Sequence, residues 1–168
     1  MADFDIAFDR TMKMEGGYKL TNDPDDRGGM TYAGIARNKH PKWSGWLFID
    51  RGETPPTDMV RDFYTAEFWM PIKGNSIFDQ EIANSIYDFA VNAGVGVAVK
   101  LAQIVAGVQA DGAIGMKSLT ALNGLDGKAF KLAYALAKVA RYRDIIKRNP
   151  SQKKYITGWL TRALEGAA

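Results

Sequence analysis

The chain contains no cysteine and a single histidine, and these two shortages exclude several kinds of chemistry. Without cysteine there is no disulfide framework, no thiolate nucleophile and no cysteine-ligated zinc site. His40 lies between Lys39 and Pro41 in a loop-like stretch, and a catalytic triad or a histidine metal site would have to be built around it alone. We therefore expect no metal and no cofactor.

Long apolar runs are also missing, and we expect no leader segment. No apolar run approaches the roughly 20 residues that a membrane span needs. Residues 1–5 have neither the basic nor the apolar segment of a secretory signal. We therefore expect a protein that is made in the cytoplasm and that reaches any outside substrate by another route.

Positive charge is in small excess, with 22 lysine and arginine residues against 19 acidic ones. The net charge of +3 suits any polyanion, but it is weak for a nucleic-acid-binding protein, and no recognised reader motif is present. We expect no nucleic-acid partner. The 46% of hydrophobic and 24% of charged residues are ordinary for one self-sufficient globular unit of 168 residues.

Helical periodicity dominates the sequence, so we expect a mainly α fold. A dense turn signal at residues 22–29 predicts one small, irregular β-hairpin within residues 18–35. Residues 37–56 predict a long surface connection. Asp79 is the expected N-cap of one helix, and Pro150 must end another.

Glu15 ends the first predicted helix, on its apolar stripe, and Gly16-Gly17 follows as a stop signal. Burial and the negative end of the helix dipole should both raise the pKa of this carboxyl group. Glycoside hydrolysis requires such a protonated carboxyl as its general acid. The alternative interpretation is a solvated helix end without a catalytic role.

Three further carboxylates, those of Asp23, Asp25 and Asp26, lie in a polar, glycine-containing turn where they should stay ionised. A nearby hydroxyl, that of Thr31, could orient an attacking water. Aspartates also cap turns for purely structural reasons, so the residues alone leave both interpretations open.

These motifs resemble a known family. Glu15-Gly16-Gly17-Tyr18, followed by Asn22-Asp23-Pro24-x-Asp26-x-Gly28-Gly29-x-Thr31-x-x-Gly34-Ile35, looks like the signature of glycoside hydrolase family 108, which contains lysozyme-like N-acetylmuramidases. Residues 68–72 and 87–94 resemble later segments of that family. Residues from about 86 onward, including Asp111-Gly112-x-x-Gly115, resemble its associated predicted peptidoglycan-binding region.

The resemblance implies a lysozyme-like helical fold with Glu15 as the catalytic acid. It implies a catalytic lobe at residues 1–85 and a helical lobe at residues 86–168, packed as one compact unit. Asp26 precedes the Gly-Gly-x-Thr part of the motif, so we rank it above Asp23 as the second carboxylate and place Asp25 third. Tyr32 stands where many members have asparagine, and it could stack on a sugar instead.

Other residues are candidates for binding sugar. Tyr87 and Asn92 are expected near the end of one helix, where a cleft between lobes could place them; a buried, hydrogen-bonded asparagine is the alternative. Trp43 and Trp46 lie in the long connection and are the better tryptophan candidates, whereas we expect Trp69 to be structural.

The resemblance predicts a muramidase that hydrolyses the bond between N-acetylmuramic acid and N-acetylglucosamine in peptidoglycan glycan strands, acting as a monomer. A lytic transglycosylase and a non-catalytic peptidoglycan-binding protein are the alternatives. Together with the missing leader it resembles a phage or prophage endolysin that waits for a membrane hole, or else an exported bacterial enzyme. The basic C-terminal third is either a solvated face or a contact for the anionic wall or membrane.

Overall fold

The computed structural model describes residues 1–14, 16–22 and 29–167. Within this part of the chain, eight α-helices accompany one small antiparallel sheet, so the expected mainly α fold is confirmed. The helices are α1 (Phe4–Met14), α2 (Trp46–Ile49), α3 (Thr57–Tyr64), α4 (Gln80–Ala93), α5 (Val95–Val105), α6 (Met116–Asn123), α7 (Gly127–Arg148) and α8 (Ile156–Glu165). The strands are β1 (Leu20–Thr21), β2 (Thr31–Tyr32) and β3 (Ile35–Ala36).

Helix α4 lies at the centre of the molecule. The carboxylate of Asp79 caps it as predicted, accepting hydrogen bonds from the backbone N–H groups of Glu81 and Ile82 at 2.8 and 3.1 Å. Every side chain from residue 82 to residue 90 is buried, and helices α1, α5 and α7 pack against it. The hydrophobic core is therefore built around α4.

The beginning of α1 is tied to the beginning of α4. The side-chain amide of Gln80 donates to the carbonyl of Asp3 at 3.0 Å, and its oxygen accepts from the Asp3 N–H at 2.7 Å. The Asp3 carboxylate in turn accepts from the N–H of Asp5 at 2.8 Å, as an N-cap does. This junction fixes the direction of α1, whose other end leads to Glu15.

The sheet has the order β1-β2-β3, with Thr21 opposite Thr31 and Tyr32 opposite Ile35. The predicted hairpin is confirmed, and β3 adds a strand that was not predicted. Strands β2 and β3 are joined by Ala33 and Gly34, whose φ angles of 48° and 79° are those of a type I′ turn.

The connection at residues 37–56 is more ordered than predicted. Arg37 makes two parallel hydrogen bonds to Asp50, at 2.6 and 2.8 Å, and its guanidinium lies over the ring of Trp46. The hydrogen bonds from Arg37 lower the pKa of Asp50. Helix α2 forms within this stretch and buries Trp46, so the expected surface connection is partly a piece of the core.

Helix α3 continues directly into a π-helical turn, Thr65–Trp69. The backbone N–H of Met70 donates to the carbonyl of Thr65, five residues back, at 2.9 Å. This wider turn accompanies the burial of Trp69, whose indole N–H donates to Asn75 Oδ1 at 2.7 Å. The structural role predicted for Trp69 is confirmed.

In the C-terminal region, helix α7 packs against α4, α5 and α8. Helix α7 ends before Pro150, as predicted. The Tyr134 hydroxyl donates to the Ala98 carbonyl at 2.9 Å and thereby joins α7 to α5. In the described part of the chain, no helix is long and apolar enough to span a membrane.

A buried glutamine, Gln103, stabilises the turn at Asp111-Gly112. The side-chain amide of Gln103 donates to Asp111 Oδ1 at 2.7 Å and to the Ala113 carbonyl at 3.0 Å, while its oxygen accepts from the Gly112 N–H. Hydrogen bonds from Ala113 and Gln103 lower the pKa of Asp111. The turn is therefore a rigid part of the C-terminal region.

Candidate active site

The end of α1 is where the site begins. Gly16 and Gly17 both have positive φ angles, 85° and 74°, which non-glycine residues rarely adopt. The N–H of Gly17 donates to the Met12 carbonyl at 2.9 Å and closes the last turn of the helix. Glu15 stands in the sequence between the last residue of α1 and this turn. It lies outside the described residues, so its predicted role and raised pKa stay predictions.

The three candidate aspartates, Asp23, Asp25 and Asp26, also lie outside the described residues. The structure describes the two strands, β1 and β2, that stand before and after them in the sequence. Thr21 and Thr31 pair across β1 and β2, and the Thr21 hydroxyl donates to the Thr31 carbonyl at 3.5 Å. The ranking of Asp26 over Asp23 therefore stays a prediction.

Thr31 is half-buried on β2. Its hydroxyl donates to the carbonyl of Gly29 at 3.2 Å. A hydroxyl that donates one hydrogen bond keeps two lone pairs, so Thr31 Oγ1 remains able to accept a hydrogen bond from a water. This geometry is compatible with the water-orienting role of Thr31, which stays a prediction.

Tyr32 is packed differently from the expectation. Its side chain is only 5% exposed and stacks on Trp43, with ring centroids 6.1 Å apart. Because a neighbouring indole covers one face of the phenol ring and burial hides most of the rest, little of the ring is free for a sugar. Burial and the neighbouring Tyr18 raise the pKa of its hydroxyl.

The two candidate tryptophans of the connection differ in how deeply they are buried. Trp46 is 3% exposed, and its indole N–H donates to the His40 carbonyl at 2.8 Å. Its predicted sugar contact is therefore wrong, because the ring belongs to the core. Trp43 is half-buried, with edge-to-face contacts to Trp46 and Phe63, and its role in binding sugar stays a prediction.

Tyr87 does not reach a cleft. It is fully buried in α4, in edge contact with Phe4 and Trp69, and burial raises the pKa of its hydroxyl far above the ordinary value. A side chain without exposed surface cannot contact a sugar directly, so we correct its expected role to core packing. Asn92 is exposed at the end of α4, which leaves its predicted substrate contact untested.

Tyr18 is a candidate that the sequence reasoning did not assign. It follows Gly17 directly, and 42% of its side chain is exposed. Burial of the remainder raises the pKa of its hydroxyl; the Arg61 charge opposes this, and those of Asp9 and Asp58 add to it. The signal was present in the sequence, because Tyr18 is the last residue of the Glu-Gly-Gly-Tyr motif.

Within residues 1–14, 16–22 and 29–167, no group of three histidine, cysteine or acidic side chains is placed to hold a metal ion. The described surroundings of Tyr18 include the charged side chains of Arg61, Asp9 and Asp58.

Comparison with known protein families gives two matches. The family model Glycosyl hydrolase 108 matches residues 8–94, and the model Predicted Peptidoglycan domain matches residues 97–164. The chain belongs to glycosyl hydrolase family 108, and the two matches together define a cell-wall glycoside hydrolase whose partner is peptidoglycan. The matches meet between residues 94 and 97, after α4; the division predicted at residues 85 and 86 stays a prediction.

A solved structure, described as that of Brucella abortus SagA, is similar to this chain in fold. The two chains share 24% sequence identity with a TM-score of 0.74, over 98% of this chain and 91% of the other. No curated protein matches the chain significantly. The likeness supports the fold of the described residues, including the helices that follow α4.

Proposed function

We propose that this protein is an N-acetylmuramidase, which hydrolyses the bond between N-acetylmuramic acid and N-acetylglucosamine, and that Glu15 is its general acid. One observation supports the proposal most strongly. The family match begins within α1 and includes Glu15, which follows the last residue of that helix and precedes the Gly16-Gly17 turn. A carboxyl at a helix C-terminus is destabilised in its charged form, which favours a raised pKa.

In the proposed reaction the Glu15 carboxyl donates its proton to the glycosidic oxygen as the bond to the anomeric carbon breaks. A water attacks the anomeric carbon and gives up a proton to a carboxylate, for which Asp26 is the first candidate and Asp23 the second. Thr31 Oγ1 accepts a hydrogen bond from that water while it donates to Gly29. The water is thus held by a group that the strand β2 fixes in place.

Two aromatic side chains are proposed to bind the sugar. The exposed part of the Tyr18 ring, next to Glu15 in the sequence, offers an apolar surface for one face of a sugar ring. Trp43 offers a second, smaller surface at its half-buried edge. Asn92 remains a proposed polar contact at the end of α4.

A lytic transglycosylase is the alternative within the same fold, and it needs no second carboxylate because a hydroxyl of the muramic acid closes a 1,6-anhydro ring. Digestion of purified peptidoglycan, with the products identified by mass spectrometry, separates the two reactions. We expect fragments that end in reducing N-acetylmuramic acid. Anhydro ends would replace the hydrolase by the transglycosylase, and reducing N-acetylglucosamine ends would overturn the proposed bond specificity.

Production in the cytoplasm, release through a membrane hole and a phage origin stay predictions. Export by a bacterial system stays their alternative. Neither affects the proposed chemistry at Glu15.

A further inference from the structure

The outer face of α7 exposes large apolar side chains. Leu132, Leu136 and Val139 are 55%, 71% and 36% exposed, and their spacing places them on one side of the helix. The opposite side of α7 is apolar as well and is buried against α4 and α5, with Phe130 and Tyr134 in the core. The helix therefore has an inward apolar face that is buried in the core and an outward apolar face that is largely exposed.

Cationic side chains continue the same outward stripe at both of its ends. Lys128 precedes the apolar residues by one turn, and Arg143 and Lys147 follow them at the same helical spacing; all three are exposed. We call this set the α7 stripe: Lys128, Leu132, Leu136, Val139, Arg143 and Lys147. At 1.5 Å per residue it is about 28 Å long.

The charge of the chain is divided unevenly about the start of α7. Residues 127–168 contain ten lysine and arginine residues and two acidic ones, whereas residues 1–126 contain twelve and seventeen. The mild net charge of +3 thus conceals a strongly basic C-terminal region joined to an acidic remainder. An anionic surface would attract this C-terminal region, to which the α7 stripe belongs.

We propose that the α7 stripe docks on an anionic lipid bilayer, with the leucines at the boundary between headgroups and acyl chains and the cations against lipid phosphates. An interfacial helix of this kind combines an apolar side with basic residues. A lipid fits the stripe better than an acidic wall polymer, because a polymer supplies the charge but no apolar phase for Leu132 and Leu136. This stripe shares no residue with the proposed muramidase site, and its proposed role does not depend on that site.

Vesicle flotation of the full chain tests the apolar half of the proposal. The probes are phosphatidylcholine vesicles with and without phosphatidylglycerol. We expect binding to the anionic vesicles only, and a loss of roughly tenfold or more in affinity for Leu132→Gln/Leu136→Gln, because both side chains lose their apolar burial. The matched control is Leu47→Gln/Ile104→Gln, which alters two equally exposed apolar residues outside α7 and should bind as the wild type does.

A second pair of variants tests the charges. Lys128→Gln/Lys147→Gln should weaken binding by roughly thirtyfold at low salt, since each cation near an anionic bilayer adds about fivefold. Lys39→Gln/Lys42→Gln removes the same net charge from another exposed segment and should have a much smaller effect. Circular dichroism of each variant confirms that the helices are intact.

The proposal is overturned if the wild type does not float with anionic vesicles, or if it floats equally well with neutral ones. It is also overturned if the α7 variants and their controls bind alike. Binding to purified peptidoglycan without any binding to vesicles would assign the basic region to the wall instead. A failure here leaves the muramidase proposal untouched, because that proposal is tested on lipid-free peptidoglycan.

Discussion

At the scale of single residues, buried tyrosine hydroxyls in this core differ in what they contact. The Tyr64 hydroxyl donates to the carbonyl of Ala33 at 2.9 Å and holds the tight turn of the sheet. The Tyr87 hydroxyl, also buried, has no hydrogen-bond partner in the part of the chain that the structure describes. A buried polar group without a partner destabilises a fold by about 1–3 kcal/mol.

Replacing Tyr87 by phenylalanine should therefore leave the stability unchanged or raise it by about 1 kcal/mol, because only the hydroxyl is removed. Urea denaturation followed by circular dichroism measures this change. We expect the variant to degrade peptidoglycan at the wild-type rate. A stably folded variant without activity would contradict the assignment of Tyr87 to core packing. It would support the substrate contact that was predicted from the sequence.

The sequence predicted some residue roles and not others for a physical reason. Periodicity tells which side of a helix is apolar, and it placed Trp69 in the core correctly. It cannot tell that α4 is enclosed on all sides, so the burial of Tyr87 was missed. Trp46 was missed because the helix α2 that buries it has only four residues, too few to show a period.

At the scale of elements, the N-termini of α4 and α7 meet at one carboxylate. Asp79 caps α4, and its side chain lies against Gly127, the first residue of α7. A Cβ at position 127 would clash with the Asp79 carboxylate, so this glycine is required by close approach rather than by its φ angle. The junction fixes the N-terminus of α7 beside the N-terminus of α4.

We predict that Gly127→Ala destabilises the protein by about 1–3 kcal/mol, as overpacking does, although alanine is the better helix former. The matched control is Gly158→Ala in α8, where a Cβ would meet nothing within 4 Å. That change should stabilise the protein by up to about 1 kcal/mol. Thermal denaturation compares the two, and equal effects would contradict the proposed clash.

Element boundaries were predictable where a single residue imposes them. Asp79 as an N-cap, Gly16 as a stop and Pro150 as a terminator each act through local backbone chemistry, and α1, α4 and α7 begin or end where these residues require. The strand β3 was not predictable in the same way. It has two residues, and its pairing depends on a turn with Ala33 in a left-handed conformation that sequence rules assign to glycine or asparagine.

At the scale of the whole molecule, a buried lysine links the two halves of the chain. Lys138 of α7 is buried against the rings of Phe89 and Tyr134, with its Nζ 5.0 Å from each ring centroid. Burial lowers the pKa of its ammonium below the ordinary 10.5; the Asp88 charge opposes this, and those of Arg162 and Arg10 add to it. The folded state thus holds this proton less tightly than the unfolded chain does.

It follows that the contribution of Lys138 to stability should increase with pH. Between the lowered folded pKa and 10.5 the unfolded chain binds more protons at this group, so the free energy of unfolding rises with pH across that window. Comparing wild type with Lys138→Met by urea denaturation from neutral pH to about pH 10 isolates this effect, since the other groups titrate in both proteins. A difference in stability that does not change with pH would contradict it.

The central claim is that Glu15 supplies the proton that cleaves the glycan strand. The direct measurement is the initial rate of peptidoglycan digestion by the wild type, Glu15→Gln and Glu53→Gln, the last of which neutralises an exposed glutamate in the connection before α3. We predict a loss of at least about a hundredfold for Glu15→Gln, because glutamine keeps the shape but cannot donate the proton. We predict a near wild-type rate for Glu53→Gln. A folded Glu15→Gln variant that digests peptidoglycan as fast as the wild type would contradict the account.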